Sequence, residues 1–369
     1  MSVRTHQGVV TTAIRAPLAI HQVPTPTPVA NEVLIRNLWT ASTPLDLHQN
    51  DGGLLVTHPQ ILGDGTAGIV AEVGEEVKGL KVGDQVFGFT WRNQKEKAHQ
   101  EYVCAPENLL AKLADGFTLQ EAVVLGNNFV TAMHTITADL QLPLPWPKPA
   151  SYKPPHAQSP ILVWGGSSSV GQYALQILKH FGYGNLMATA SPQHHALLTS
   201  YGATQTFNYR DEDVVQQIDA AASNGIPFII DCIGSLKGSI APLTRIAGSG
   251  SKVAILLPVI VRDATADAAP EYAMDVVAAA SSIGSPWANG VEAVGVRTHF
   301  YLQNKLFADK LQSEIMPTAL REGWVKPNKV RNVEGKTLLV RAQKAMNLLR
   351  DRAVSGERLV WRVSQDDGS

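Results

Sequence analysis

A chain of 369 residues exceeds what most single hydrophobic cores hold, so the length predicts two domains. With 44% apolar and 17% charged residues it has ample material for a core, which excludes a disordered chain. A formal net charge of −1 and a pI near 6.8 exclude recruitment of nucleic acid or an anionic membrane by bulk charge.

The first twenty residues lack the continuous apolar stretch of a secretory leader. The longest apolar run, Val253 to Val261, contains Pro258 and is about half a membrane span. Two cysteines, Cys104 and Cys232, lie far apart and outside any CxxC, so neither a disulfide framework nor a cysteine metal site is expected. The expectation is a soluble chain in a reducing compartment, the cytoplasm, with no membrane or nucleic-acid partner.

Up to about residue 125 the chain is dense in short β-type runs: EVLIRNLW from Glu32, GIVAEVG from Gly68, DQVFGF from Asp84 and HQEYVCA from His99. Each alternates or stays apolar for a few residues between turn residues, which predicts a small, mostly antiparallel β-domain. Residues 140–160 carry seven prolines and read as a loop, because proline lacks the amide donor. Beyond it the pattern changes. ILVW from Ile161 reads as a strand and SVGQYALQILKHFGY from Ser169 as a helix. LMATAS reads as a strand and PQHHALLTSYGA as a helix. FIIDCIG from Phe228 and KVAILLPVI from Lys252 are further strands. Such alternation predicts parallel βαβ architecture, an α/β fold. Helical stretches follow at Lys305 to Glu322 and Leu338 to Asp351, and the chain closes on a β-like run, Arg358 to Val363.

The sharpest local signal is the turn after Ile161–Trp164. Gly166 and Gly171 hold the first and last positions of GxGxxG, with Ser168 in the middle slot. The first glycine suits a tight turn and the last a close approach of helix to strand. The helix N-terminus, with Ser169 and Val170, offers amides and a positive dipole end to a pyrophosphate. The hydroxyls of Ser167, Ser168 and Ser169 add donors. The strand before, the helix after and a second strand about twenty residues on supply the context such a turn needs. A bare βα turn without a ligand is the alternative.

The second strand ends at Ser191, where an acid would grip a ribose 2′-hydroxyl. Its absence favours NADPH, since a carboxylate would repel a 2′-phosphate. His194 and His195 follow, and Tyr209 and Arg210 stand downstream; the histidines read either as phosphate neighbours or as solvated residues at a helix start.

These residues resemble the medium-chain dehydrogenase/reductase superfamily. The stretch GDGTAGIVAEVGEEVKGLKVGDQVFG, Gly63 to Gly88, carries the resemblance in the first half; WGGSSSVGQYALQILK, ATASPQHH and FNYR carry it in the second. The version is similar to fungal trans-acting enoyl reductases that serve polyketide synthases, and to quinone-oxidoreductase-like proteins. The resemblance implies a GroES-like β-domain of residues 1–125 and 322–369 and a Rossmann, doubly wound parallel-sheet domain of residues 126–321. Zinc-dependent members carry a cysteine where this chain has Thr43, and a His–Glu pair where it has Asp64 and Gly65. That is no zinc set, so no metal is expected.

By the same resemblance Thr43 and Thr131 line the nicotinamide side of the cleft. Leu256 and Leu257 pass beside the cofactor, and Val354 and Ser355 belong to a tail segment that touches it. Asp46 is expected to tie its own loop. His48 reads either as a proton donor or as a histidine outside the chemistry. Asn127 and Asn128 read as carbonyl donors or as helix caps. The implied activity is NADPH-dependent reduction of a carbon–carbon double bond conjugated to a carbonyl. Quinone reduction, or a cofactor-binding scaffold without turnover, are the alternatives. The segment Val261 to Gly290 is expected to cover a sheet edge and favour a monomer.

Overall fold

Apolar runs broken by glycine, proline and aspartate give short strands in the first part of the chain. The computed structural model describes residues 4–222, 225–265 and 267–364. Two units emerge. One comprises residues up to Val130, Ala264–Pro270 and the chain from Leu302 on; the other comprises Thr131–Asp263 and Glu271–Tyr301.

The first unit opens with β1 (Thr5–Thr11), β2 (Ala19–Pro24), β3 (Glu32–Ala41), α1 (Pro44–Gly52) and β4 (Gln60–Ile61). It continues through β5 (Gly65–Val73), β6 (Gln85–Phe89), β7 (Tyr102–Pro106), β8 (Leu110–Lys112) and α2 (Leu119–Ala122), and the chain passes into the second unit within α3 (Gly126–His134). β3 is central, antiparallel to β5 and to β7. Val33, Ile35, Val70, Val86, Val103 and Leu110 form a core beneath the sheet, each contributing about 1.5–3 kcal/mol on burial. Asn37 sits in β3 where the ladder shifts register. Its Nδ2 donates to the carbonyls of Ala98 (2.6 Å) and Gln100 (3.2 Å), and its Oδ1 accepts from Thr66 Oγ1 (2.7 Å) and Ala67 N (3.2 Å). A buried amide so fully bonded fixes the pairing.

The second unit follows with β9 (Ile161–Trp164), α4 (Ser169–Phe181), β10 (Leu186–Thr189), α5 (His195–Ser200), β11 (Gln205–Phe207), α6 (Val214–Ala222), β12 (Phe228–Asp231), α7 (Ala241–Ile246) and β13 (Lys252–Leu256). After these come β14 (Val259–Arg262), β15 (Glu271–Ala273), α8 (Val276–Ser282) and β16 (Glu292–Val296). Six strands form a parallel sheet in the order β11-β10-β9-β12-β13-β16. Every residue of β9, β10 and β12 is buried, as strands covered on both faces must be. The order reverses beside β9, so the turn after β9 lies at the switch point where ligands bind such sheets.

Two expectations change here. The run from Lys252 is two strands, not one. Pro258 has no amide for the ladder, and the chain turns there to pair β14 with β15 in an antiparallel hairpin. The edge beside β13 is taken by β16 and not by the segment 261–290, which supplies the hairpin and α8 on its way to that strand.

The chain then builds α9 (Lys305–Lys310), α10 (Met316–Arg321), β17 (Lys329–Asn332), α11 (Leu338–Arg350) and β18 (Glu357–Arg362), all in the first unit. The helix expected over 305–322 is interrupted by a π turn at Leu311–Ile315. Pro317 stands two residues beyond it, without an amide to give to the preceding turn, and the ladder shifts by one residue there. Gln312 in that turn is fully buried and clamps β6, accepting from Phe89 N (2.7 Å) and donating to Phe89 O (3.1 Å). β18 runs antiparallel to β3, with Val360 opposite Ala41. Arg350 of α11 grips the unexposed Asp51 at the end of α1, Nε to Oδ2 at 2.6 Å and Nη2 to Oδ1 at 2.8 Å. Among the described residues no helix is long and apolar enough to cross a membrane.

Candidate active site

In the second unit the chain leaves β9 through Gly165 and Gly166. The left-handed residue is Gly165, at φ +79°, so the tight turn expected of Gly166 belongs to its neighbour. Gly166 serves close approach instead, since a Cβ there would lie 3.0 Å from Ala188 Cβ and Leu198 Cδ1. The turn is tied to the end of β10: Gly165 N donates to Thr189 Oγ1 (2.9 Å) and Gly166 N to Thr189 O (2.8 Å). Ser168 caps α4, its Oγ accepting from Gly171 N at 3.1 Å. The cap uses an oxygen lone pair, and the hydroxyl also bonds the side chain of Cys232. Gly171 is required by the backbone, since a Cβ would lie 2.6 Å from Gly165 O and 2.8 Å from Gly166 Cα. Ser167, Ser168 and Ser169 are half-buried around this helix start, where Val170 is buried. Amides of a first turn have no acceptor within their own helix, so the arrangement fits a pyrophosphate.

At the end of β10, Ser191 opens a short 3-10 turn over Pro192–His194. Arg210 donates from Nη1 to Ser191 Oγ at 3.1 Å and lies over the Tyr209 ring, 4.9 Å from its centroid. The exposed cation here is therefore Arg210. His195 is committed to the backbone, Nε2 to Ala190 O at 3.1 Å. Burial, then the neighbouring His195, lower the pKa of His194, which favours a neutral ring.

Thr131 Oγ1 shares a 3.0 Å hydrogen bond with Thr298 Oγ1, a residue that nothing in the sequence singled out. Leu256 ends β13, and Leu257 lies over Gly295 of β16, where a Cβ would fall 2.7 Å from its Cδ1. Next to them Asp231 is fully buried and pulls the loop after β12 inward. It accepts from Ile233 N (2.9 Å), Gly234 N (3.1 Å) and Ser239 Oγ (2.6 Å), while burial pushes its pKa up to about 6.

In the first unit Thr43 precedes α1, and Asp46 folds back on it. Asp46 Oδ2 accepts from Thr43 N at 2.9 Å and Oδ1 from Gly63 N at 3.1 Å. Asp64, next to Gly63, accepts from Asn127 Nδ2 at 2.6 Å through Oδ2. Its Oδ1 and the Thr43 Oγ1 are buried without a hydrogen-bond partner. Burial raises the pKa of both carboxyls, and Asp46 raises that of Asp64 further; the charges of Lys97 and Arg358 oppose this only in part. His99 is fully buried with Nε2 3.8 Å from Asp46 Oδ2, and burial pushes its pKa down to about 3. His48, on α1, is half-buried; burial pushes its pKa down to about 4 against the opposing charge of Asp51. Its ring is therefore neutral at neutral pH. Val354 packs on the core around Leu47, Met346 and Trp361, and Ser355 is exposed beside it. Among the described residues no three His, Cys, Asp or Glu side chains converge on a metal position.

Residues 29–135 match the family described as Alcohol dehydrogenase GroES-like domain, and residues 169–255 the one described as Zinc-binding dehydrogenase. The chain is 35% identical over 221 residues to the trans-enoyl reductase tazE of Aspergillus terreus, covering 57% of this chain and 71% of that protein. With the trans-enoyl reductase pvhC of Talaromyces variabilis it shares 30% identity over 356 residues, 92% of each chain. With tndF of Aspergillus flavipes, another trans-enoyl reductase, it shares 34% identity over 59% of this chain and 64% of that one. Among solved structures, CurK enoyl reductase superposes with a TM-score of 0.74 at 17% identity, over 97% of this chain and 99% of that one. A quinone oxidoreductase from Coxiella burnetii gives 0.71 at 20% identity, over 98% and 100%. At these identities the two structures speak for the fold alone.

Gly171→Ala should force the start of α4 away from β9. The expected outcome is a loss of about 1–3 kcal/mol in stability, together with a clear drop in dinucleotide affinity by isothermal titration. An alanine variant with unchanged urea midpoint and unchanged affinity would show that the close approach is not needed.

Proposed function

Because the chain belongs to the medium-chain dehydrogenase/reductase superfamily, we propose that it is an NADPH-dependent reductase of carbon–carbon double bonds conjugated to a carbonyl. The observation that carries this reading is the likeness to a trans-enoyl reductase along 92% of the chain. When bound, a nicotinamide would supply the hydride for the β-carbon. Gly166, Ser167, Ser168, Ser169 and Val170 are the proposed pyrophosphate contacts, supported by the close-packed turn and its capped helix. Ser191, His194 and Tyr209 are proposed around the 2′-phosphate, with Arg210 as their cation. Leu256, Leu257, Val354 and Ser355 are proposed to flank the cofactor. Thr43 and Thr131 are proposed to orient the nicotinamide and the substrate, so that much of the catalysis is positioning.

His48 is the proposed route for the α-carbon proton. A neutral imidazole stores no extra proton, so it passes one along, giving from one nitrogen while taking from solvent at the other. We further propose that the reaction uses no zinc. Thr43, Asp64 and Gly65 offer a hydroxyl and one carboxylate where zinc wants three converging protein ligands, and a conjugated acceptor needs only hydrogen-bond donors at its oxygen. A polyketide synthase presenting the unsaturated acyl group is the proposed partner, and the enzyme is proposed to act in the cytoplasm as a monomer.

Five measurements test this reading. NADPH should bind at least tenfold more tightly than NADH, a difference of about 1.4 kcal/mol, and Ser191→Asp should move the preference towards NADH. Equal dissociation constants would defeat the cofactor assignment. Deuterium carried on C4 of NADPH should appear at the β-carbon of reduced enones or enoyl thioesters, read by NMR. His48→Ala should lower turnover about 10²-fold; a small loss would assign the proton to solvent. Label only on a carbinol carbon, or turnover with quinones alone, would replace the reading, and no turnover with any acceptor would leave a cofactor-binding scaffold. Protein purified without a metal-binding tag should hold no stoichiometric zinc and scatter light as a single 39.7 kDa chain. One tightly held zinc per chain, or twice that mass, would contradict the corresponding part.

A further inference from the structure

The two buried carboxyls of the first unit do not play the same part. Asp46 is 2% exposed and both its oxygens accept main-chain amides, from Thr43 and Gly63. Such bonds favour the charged form. Asp64 is 3% exposed and has one bonded oxygen; the other is buried and finds no donor in the protein. Two negative charges so close in a buried site oppose each other. The bonding pattern favours the charge on Asp46, so that a proton taken up by the pair goes to Asp64 Oδ1.

Every element around Asp64 brings a group to this balance. Asp46 comes from α1 and opposes ionisation of Asp64. Lys97 and His99 come from the segment before β7, and Arg358 from β18; the two cations favour ionisation. His99 is neutral. Asn127 comes from α3 as a hydrogen-bond donor. Burial is the largest influence and favours the neutral acid.

Thr43 carries the second unsatisfied atom. Its Oγ1 is buried without a partner, on a residue 3% exposed. The backbone of Thr43 and that of Gly63, adjacent to Asp64, are fastened to the same Asp46 carboxylate. An alcohol oxygen and a carboxyl oxygen are thus held on neighbouring segments with no hydrogen-bond partner in the protein. We propose that Asp64, as a neutral acid, and Thr43 form a donor pair for the carbonyl oxygen of the substrate. This rests on the reading that the substrate is an α,β-unsaturated carbonyl compound. When hydride reaches the β-carbon, the π electrons move towards that oxygen, and both donors hold the resulting enolate. An ionised Asp64 would repel it, so turnover falls as pH rises through the Asp64 ionisation.

The test compares Asp64→Asn and Asp64→Leu with the wild-type chain across pH, using an enone and NADPH. Asparagine keeps a neutral donor that cannot ionise. It should flatten the alkaline fall in kcat and exceed the wild type at high pH. Leucine removes the donor and should lower kcat about 10²-fold or more at pH values below the Asp64 ionisation, with no alkaline fall left above it. A leucine variant with wild-type kcat, or an asparagine variant whose alkaline fall is unchanged, would overturn the proposal while leaving enone reduction intact. If the wild-type chain reduces no enone, the reading of its reaction fails, and a second measurement decides this one. In carboxyl-labelled protein followed by NMR, the Asp64 carbon should titrate well above the ordinary value near 4. Titration at or below that value would overturn it.

Discussion

A carboxylate sealed inside a β-domain persists only where donors reach both of its oxygens, and Asp46 is the case on which the first unit turns. Its two amide bonds set where α1 begins and where the chain turns at Gly63. Gly63 holds φ +85°, and any side chain there would strike the His99 ring. His99 in turn packs on Trp361, with ring centroids 4.7 Å apart. The Trp361 indole donates to Ser42 Oγ at 2.9 Å. One buried charge thus links the start of α1, the turn before β5 and the last strand in a closed set of contacts. Neutralising Asp46 alone would weaken its two amide bonds directly, and the contacts of the last strand only through them.

The electrostatics of the second unit follow a different logic. No carboxylate stands at the end of β10, and the group presented there is a guanidinium lying over a tyrosine ring and bonded to a serine. The histidines that look like phosphate ligands in the sequence are less available, one through its bond to a backbone carbonyl and one through a lowered pKa. Arginine keeps its charge whatever its surroundings and presents a planar fork. A site built this way holds its charge over the whole physiological pH range, where an imidazole would lose it.

The sequence disclosed the architecture where chemistry is local. Alternation marked the strands of the β-half. A strand, a glycine–serine turn and a helix marked the parallel half, because these signals lie within a dozen residues of one another. Breaks set by single prolines were less legible. Pro258 divides one apolar run into two strands, and Pro317 sits behind a π turn inside an apolar helix pattern. Apolar periodicity continues across both, so only the missing amide betrays the break. Within the candidate site, Gly165 and not Gly166 takes the left-handed turn, a difference of one residue that two adjacent glycines conceal. Thr298 pairs with a residue 167 positions earlier, and the unsatisfied oxygen of Asp64 depends on what its neighbours leave unbonded. Neither has a local signature.

The last strand is inserted between β17 and β3, with Trp361 bonded to a serine 319 residues before it. A ribosome delivers β3 early and its partner β18 almost last. All six strands of the parallel sheet, from Ile161 to Val296, emerge in between. During synthesis the second unit therefore completes its sheet while the first still lacks a strand, with an edge of β3 open to solvent and to other chains. From the completion of β16 until β18 emerges, the nascent chain carries one complete parallel sheet and one sheet that still lacks a strand, and in that interval the open edge is the part exposed to other chains.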